Sequence, residues 1–153
     1  MKRKLFLIAL FLLMVTQFYS KEPKEYVIKS SDGKQSVNLV GYWKAKDGPY
    51  IFTMIFDKDG KMTYGCNNSR APKIIDLDDD PEGLGQKYNQ WWKVGTYKTA
   101  GNILIFSTEK SANYSNAKVA TGNVNFLVNI VSNDELVIQT SNTGAVRTYE
   151  RLY

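Results

Sequence analysis

The chain of 153 residues contains no histidine and a single cysteine, Cys66. Without histidine, most of the usual acid–base chemistry of an enzyme site is missing, and a catalytic thiol would need some other base. One cysteine also excludes a disulfide within the chain. We expect Cys66 to be a small buried apolar side chain at the end of a strand, with a covalent dimer through its sulfur as the alternative.

Paired carboxylates on the strands are also lacking. Isolated acids such as Glu109 and Glu150 are expected to be solvated or paired with lysine or arginine. Since no general acid and base can be named, the sequence predicts a protein that is not an enzyme and that has no catalytic residue, cofactor or metal ligand.

The chain lacks a basic cluster once its first 20 residues are set aside. The remainder holds 17 basic and 15 acidic residues, a net charge of +2, and no Lys/Arg run longer than two. Nucleic-acid binding needs a concentrated positive surface, so we do not expect it here.

The N-terminus has the pattern of a secretion signal. Lys2, Arg3 and Lys4 precede the apolar run Leu5–Val15, which is too short for a stable membrane span. We predict a signal peptide at residues 1–20, cut after Thr16 or Ser20, with an uncleaved anchor as the alternative. The mature chain would be periplasmic or secreted, with no membrane span.

The remaining residues carry short strand-like segments separated by turn signals. Residues 21–38 form a polar lead-in arm with room for one short helix or strand, and residues 39–153 form one domain. Successive hairpins without a helical crossover predict an all-β, eight-stranded antiparallel up-and-down barrel, which leaves no exposed sheet edge. The predicted strands are residues 38–43, 50–56, 62–66, 91–99, 103–106, 124–131, 136–139 and 146–152, and residues 107–123 are predicted to be a loose connection.

An acidic segment, residues 67–90, interrupts this meander. Its Asp76, Asp78 and Asp80 have the spacing of a calcium loop, but Pro81 stands where such a loop needs glycine and Lys87 where it needs glutamate. We predict a solvated acidic loop that could serve as a lid or partner surface, with a nonstandard cation site as the alternative.

Two motifs suggest a family. The segment Leu39–Trp43 resembles the G-x-W signature that opens the first lipocalin strand, and Tyr149–Arg151 resembles the end of the last lipocalin strand. The resemblance, to small exported lipocalin-like proteins of bacteria, implies that Gly41, Trp43, Tyr149 and Arg151 are structural, with the arginine packed across the tryptophan at the closed end. A second resemblance is that of Phe56–Asn67, with Asp57, Gly60 and Gly65–Asn67, to the segment with the G-C-N signature of META-type bacterial β-domains.

Such a barrel holds either packed side chains or one small ligand. The inward candidates for ligand contact, which could equally fill the core, are Tyr50, Phe52, Met54, Met62, Tyr64, Trp92, Phe106 and Phe126. Of Trp91 and Trp92, one must face outward, because neighbouring strand residues point to opposite faces. The leading hypothesis is an exported protein that binds a small apolar or amphipathic ligand inside the barrel. The alternative is a non-enzymatic interaction or inhibitor module whose loops bind an exported protein or a glycan.

Overall fold

The computed structural model describes residues 26–71, 87–113 and 122–153. Two short strands, β1 (Val27–Lys29) and β2 (Ser36–Asn38), pair with each other. The other strands are β3 (Gly41–Asp47), β4 (Tyr50–Phe56), β5 (Lys61–Asn68), β6 (Trp91–Ala100), β7 (Ile103–Asn113), β8 (Asn123–Ser132), β9 (Glu135–Thr140) and β10 (Val146–Arg151).

Strands β3 to β10 form a closed barrel in which each strand pairs with the next along the chain and β10 closes against β3. All of these pairings are antiparallel. The predicted eight-stranded, antiparallel, up-and-down barrel is therefore confirmed. No helix in the described parts of the chain is long and apolar enough to cross a membrane.

The structure corrects part of the prediction for residues 107–123, of which residues 114–121 lie outside the described residues. Strand β7 continues to Asn113, and its second half pairs with Trp91–Val94 of β6 beyond a register shift at Val94 and Gly95. The Ser, Asn, Ala and Thr residues of the segment predicted a loose connection, but backbone hydrogen bonds to β6 hold the second half of β7 as a strand regardless of side-chain polarity.

The lead-in arm covers one end of the barrel. The hairpin of β1 and β2 buries Ile28 and Val37 against the barrel core, and the backbone N–H of Lys29 donates to the carbonyl of Gly101 at 2.9 Å. This end, which we call the closed end, also holds the β4–β5, β6–β7 and β8–β9 turns.

The opposite end, which we call the open end, holds the β3–β4, β5–β6, β7–β8 and β9–β10 connections, because antiparallel strands alternate in direction. Part of the predicted acidic loop, residues 72–86, belongs to the β5–β6 connection. These residues and the predicted signal peptide lie outside the described residues.

Candidate ligand-binding site

The closed end is sealed by Trp43 and Arg151. Trp43 is fully buried, and its indole N–H donates to the Leu39 carbonyl at 2.8 Å. The Arg151 guanidinium lies 4.3 Å from the Trp43 ring centroid and donates to the carbonyls of Val40 at 2.8 Å and Asn38 at 2.6 Å. This is the arrangement that the lipocalin resemblance implies for these two residues.

Gly41 begins β3 at a point where a side chain has no room. Its φ of 136° is in the region that favours glycine, and an added Cβ would lie 2.7 Å from the Tyr153 carbonyl oxygen. Tyr153 also accepts a backbone hydrogen bond from Tyr42 at 3.0 Å. The missing side chain therefore lets the C-terminus close the barrel.

Apolar side chains fill the middle of the barrel. Four of the predicted ligand-contacting residues are here and are at most 1% exposed: Met54, Met62, Phe106 and Phe126. Packing of this kind leaves no room for a ligand among these four side chains.

Aromatic rings line the interior toward the open end. The ring of Trp91 lies 4.9 Å from that of Tyr64 and 6.5 Å from that of Phe52, measured between centroids. Tyr50, also predicted, is partly buried and packs against the core. Edge and tilted contacts of this kind keep the ring positions fixed relative to one another. We call Phe52, Tyr64 and Trp91 the aromatic cluster.

The structure corrects the placement of Trp92. Trp91 pairs with Cys66 and joins the aromatic cluster, whereas Trp92 pairs with Gly65 and therefore faces the outside of the barrel. There the Lys110 ammonium lies 5.2 Å from the Trp92 ring centroid. The expected split between the two tryptophans exists, but Trp91 is the interior member, because β6 is in register with the inward-facing Tyr64 and Cys66 of β5.

Arg147 is a functional candidate that the sequence reasoning missed. It pairs with the buried Ile138, and its guanidinium carbon lies 3.7 Å from the Phe52 ring centroid, so its side chain is on the inner face of β10. Its Nη2 lies 3.3 Å from Oδ2 of Asp47, while its buried Nε has no hydrogen-bond partner. The period-two alternation Arg147, Tyr149, Arg151 would have placed it inside.

A second cation, Lys93, shares the inner face. It pairs with Tyr64, and its ammonium lies 5.9 Å from the Trp91 ring centroid. Two cations therefore flank the aromatic cluster: Arg147 stacks on Phe52, and Lys93 lies near Trp91. Attraction between a cation and an aromatic face contributes about 0.5 to 2 kcal/mol per contact.

The thiol of Cys66 and the hydroxyls of Tyr64 and Tyr149, which are near Arg147, keep their protons at neutral pH. Burial raises the pKa of Cys66 to about 11 and also raises the pKa of Tyr64 and of Tyr149, although the charge of Arg147 opposes the shift in all three. Cys66 is buried, as predicted. A neutral buried thiol is a poor nucleophile, so these residues can pack or hydrogen bond but are not activated for covalent chemistry.

Acidic residues outside the barrel interior follow the expected pattern. Glu109 pairs with Lys61 at 3.0 Å, as predicted for that carboxylate. Among the described residues, no three cysteine, aspartate or glutamate side chains are grouped so that they could hold a metal ion. Asp76, Asp78 and Asp80 of the predicted acidic loop lie outside the described residues.

An open cleft of about 530 Å³ lies outside the barrel at the closed end, between Tyr26 of the arm and Thr96–Thr99 of β6. Its charged lining residues, Asp59 and Lys98, are both exposed. The hydroxyl of buried Tyr97 also lines the cleft but already donates to the Asp57 carbonyl at 3.1 Å, so the cleft does not share the unpartnered buried donor of Arg147.

No model of a protein family matches the chain, and no curated protein matches it either. The resemblance to lipocalins therefore stays a prediction.

Proposed function

We propose that this protein is a non-enzymatic binding protein that holds a small amphipathic molecule at the open end of its barrel. The observation that carries the proposal is the Arg147 guanidinium, which lies on the inner face against Phe52 with a buried Nε that has no partner. Binding pockets typically combine apolar and aromatic walls with a few such polar groups.

A purely structural role explains Arg147 less well. The side chain is 18% exposed, and the carboxylate beside it, Asp47, is 59% exposed. An ion pair this open to water contributes at most about 1 kcal/mol, whereas a buried donor without an acceptor costs about 1 to 3 kcal/mol. A bound molecule that supplies the acceptor would remove that cost.

The division of the barrel supports the same conclusion. The closed end and the middle are filled and sealed by Trp43, Arg151 and the buried methionines and phenylalanines. At the open end, Arg147 and Lys93 add positive charge to the aromatic inner surface. An apolar group would contact the aromatic cluster, with about 25 cal/mol gained per Å² of apolar surface buried, and a polar group would meet Arg147.

We propose in addition that the protein acts after export, with residues 1–20 as its signal peptide. The support for export is the charged and apolar pattern of Lys2–Val15.

The proposal is tested by tryptophan fluorescence titrated with fatty acids, sterols and haem. A ligand at the open end should change the emission of Trp91. The change should therefore persist in Trp92→Phe and be lost or strongly reduced in Trp91→Phe. Loss of the response in Trp92→Phe alone would contradict binding inside the barrel.

That opposite result would favour the second candidate, an interaction module that binds an exported protein or a glycan. The observation behind it is the outward position of Trp92, which is partly exposed beside Lys110 on the strands that lead into the open-end connections. Tryptophan is enriched among the residues that dominate the energy of protein interfaces.

A further inference from the structure

Building on the proposed function, we propose that the ligand is a monocarboxylate with an apolar body and that Arg147 binds its carboxylate. A pocket alone does not determine the charge and geometry of the polar group that it binds.

The sign of the charge follows from the residues at the site. Arg147 and Lys93 are both on the inner face at the open end. The carboxylate that the structure brings to Arg147 is Asp47, and it stays largely in solvent at the rim. Among the described residues of the inner face at the open end, the two positive charges of Arg147 and Lys93 meet the one partly solvated negative charge of Asp47, which favours an anion over a cation or a neutral molecule.

The geometry of the guanidinium favours a carboxylate. Nε and Nη2 are donors on the same edge of an arginine, and two parallel N–H groups match the two oxygens of a carboxylate. In Arg147, Nη2 is 3.3 Å from Asp47 while Nε has no partner. The Nε donor of this edge is therefore unused. A ligand would compete with Asp47 for the other donor, Nη2.

The aromatic cluster determines what the carboxylate is attached to. Phe52 contacts both the Arg147 guanidinium, at 3.7 Å, and the Trp91 ring, at 6.5 Å between centroids. A ligand whose carboxylate reaches Nε would therefore place its next carbon atoms against these rings. Both a linear acyl chain and an aryl group have this chemistry.

The test is isothermal titration calorimetry with decanoate, 4-phenylbutyrate and the uncharged 1-decanol. We expect one of the two acids to bind the wild type at least ten-fold more tightly than 1-decanol, since hydrogen bonds to charged groups contribute roughly ten- to hundred-fold in affinity. Preference for decanoate would identify a linear acyl ligand, and preference for 4-phenylbutyrate an aryl ligand. Either preference supports the proposal.

Variants assign the effect to Arg147. Arg147→Gln should weaken binding of the acid by about ten- to hundred-fold and leave binding of 1-decanol within about two-fold. Lys46→Gln is the matched control, because Lys46 is at the same end of β3 but exposed on the outer face. It should change binding of the acid less than about three-fold. An equal loss in both variants would overturn the proposal, since it would indicate general electrostatic attraction.

Asp47→Asn should change the affinity for the acid in the direction opposite to Arg147→Gln. This second test keeps its meaning even if Arg147→Gln folds poorly. Removing the competing carboxylate should free Nη2 and raise the affinity for the acid by several-fold. Weaker or unchanged binding in Asp47→Asn would contradict the bidentate geometry. Equal binding of acid and alcohol by the wild type would overturn the carboxylate inference and leave the binding function standing, whereas no binding of the panel in any assay would overturn both.

Discussion

At the scale of single residues, Trp43 is the largest side chain that the barrel buries completely. We predict that Trp43→Ala lowers the free energy of unfolding by roughly 3 to 5 kcal/mol, because it leaves a cavity at the closed end and removes the surface on which Arg151 stacks. Urea denaturation measures the change. Trp92→Ala, on the outer face, should cost much less, and a loss below about 1 kcal/mol for Trp43→Ala would contradict its role as a plug.

Gly95 is a second residue whose identity the structure explains. It lies at the register shift between β6 and β7, and a Cβ added there would overlap the backbone carbonyl oxygen of Ser107. We predict that Gly95→Ala destabilises the protein by about 3 kcal/mol, because the obstacle is backbone and cannot rotate away. Thermal unfolding of Gly95→Ala beside Gly122→Ala, which has open space around it, tests this. Equal melting temperatures would contradict it.

The residues of the candidate site were partly predictable. Alternation within β4 and β5 predicted that Phe52 and Tyr64 face inward, and both do. Arg147 was missed because a charged residue in a strand is usually solvent-facing, although its alternation with Tyr149 and Arg151 indicates the inner face. The choice between Trp91 and Trp92 depended on the register of β6 against β5, which a sequence of two adjacent tryptophans leaves open.

At the scale of elements, the seam between β10 and β3 is the junction that closes the barrel. Its registered pairs are Glu150 with Lys44 and Arg151 with Trp43, both at the closed end. The Arg151 side chain reinforces the seam, since it reaches across to the carbonyls of Asn38 and Val40 and contacts the Asn133 carbonyl on the other side.

We predict that Arg151→Met lowers the free energy of unfolding by about 2 to 4 kcal/mol. Methionine keeps apolar contact with Trp43 but leaves the carbonyls without their charged donor. Guanidinium denaturation measures the loss, and Arg70→Met, at an exposed position, is the matched control. A loss in Arg151→Met no larger than in this control would show that the seam closes without the side chain.

Element boundaries were predicted well where turns carry glycine. Gly48, Gly60 and Gly101 all adopt positive φ in the turns that precede β4, β5 and β7, and the predicted strands after these turns begin within one residue of the observed ones. The errors fall where a strand depends on its partner: the second half of β7 is polar, and the β1–β2 hairpin is stabilised by contact with the barrel. Neither pattern is visible in local sequence.

At the scale of the whole molecule, the buried ionisable groups predict how stability depends on pH. Burial raises the pKa of Cys66 from 9.0 to about 11 and raises the pKa values of Tyr64, Tyr97 and Tyr149 above 10.0. The unfolded chain therefore loses these protons at lower pH than the folded protein does. Their contribution to stability is complete below about pH 9 and is lost as the pH rises from there.

We predict that the free energy of unfolding falls steadily between pH 9 and 11, measured by urea denaturation at fixed ionic strength. Cys66→Ser should show a shallower fall over the first part of this range, because a serine hydroxyl does not ionise there. A profile flat to pH 11 in the wild type would contradict the burial of these groups.

The barrel as a whole was predictable because eight strands in successive hairpins leave few other arrangements without an exposed edge. The content of the barrel interior was not predictable, because the same large apolar residues serve equally for a filled core and for the wall of a pocket. The structure separates the two by position: the middle is filled, while the open end carries Arg147 and Lys93 among aromatic rings.

The measurement that tests the central claim most directly is native mass spectrometry of the protein isolated from cells, compared with its denatured mass. We predict a reproducible excess mass of one small molecule that is lost on denaturation and is reduced in Arg147→Gln relative to Lys46→Gln. The bare chain mass, with no uptake from fatty acids, sterols or haem, would contradict a ligand-binding barrel.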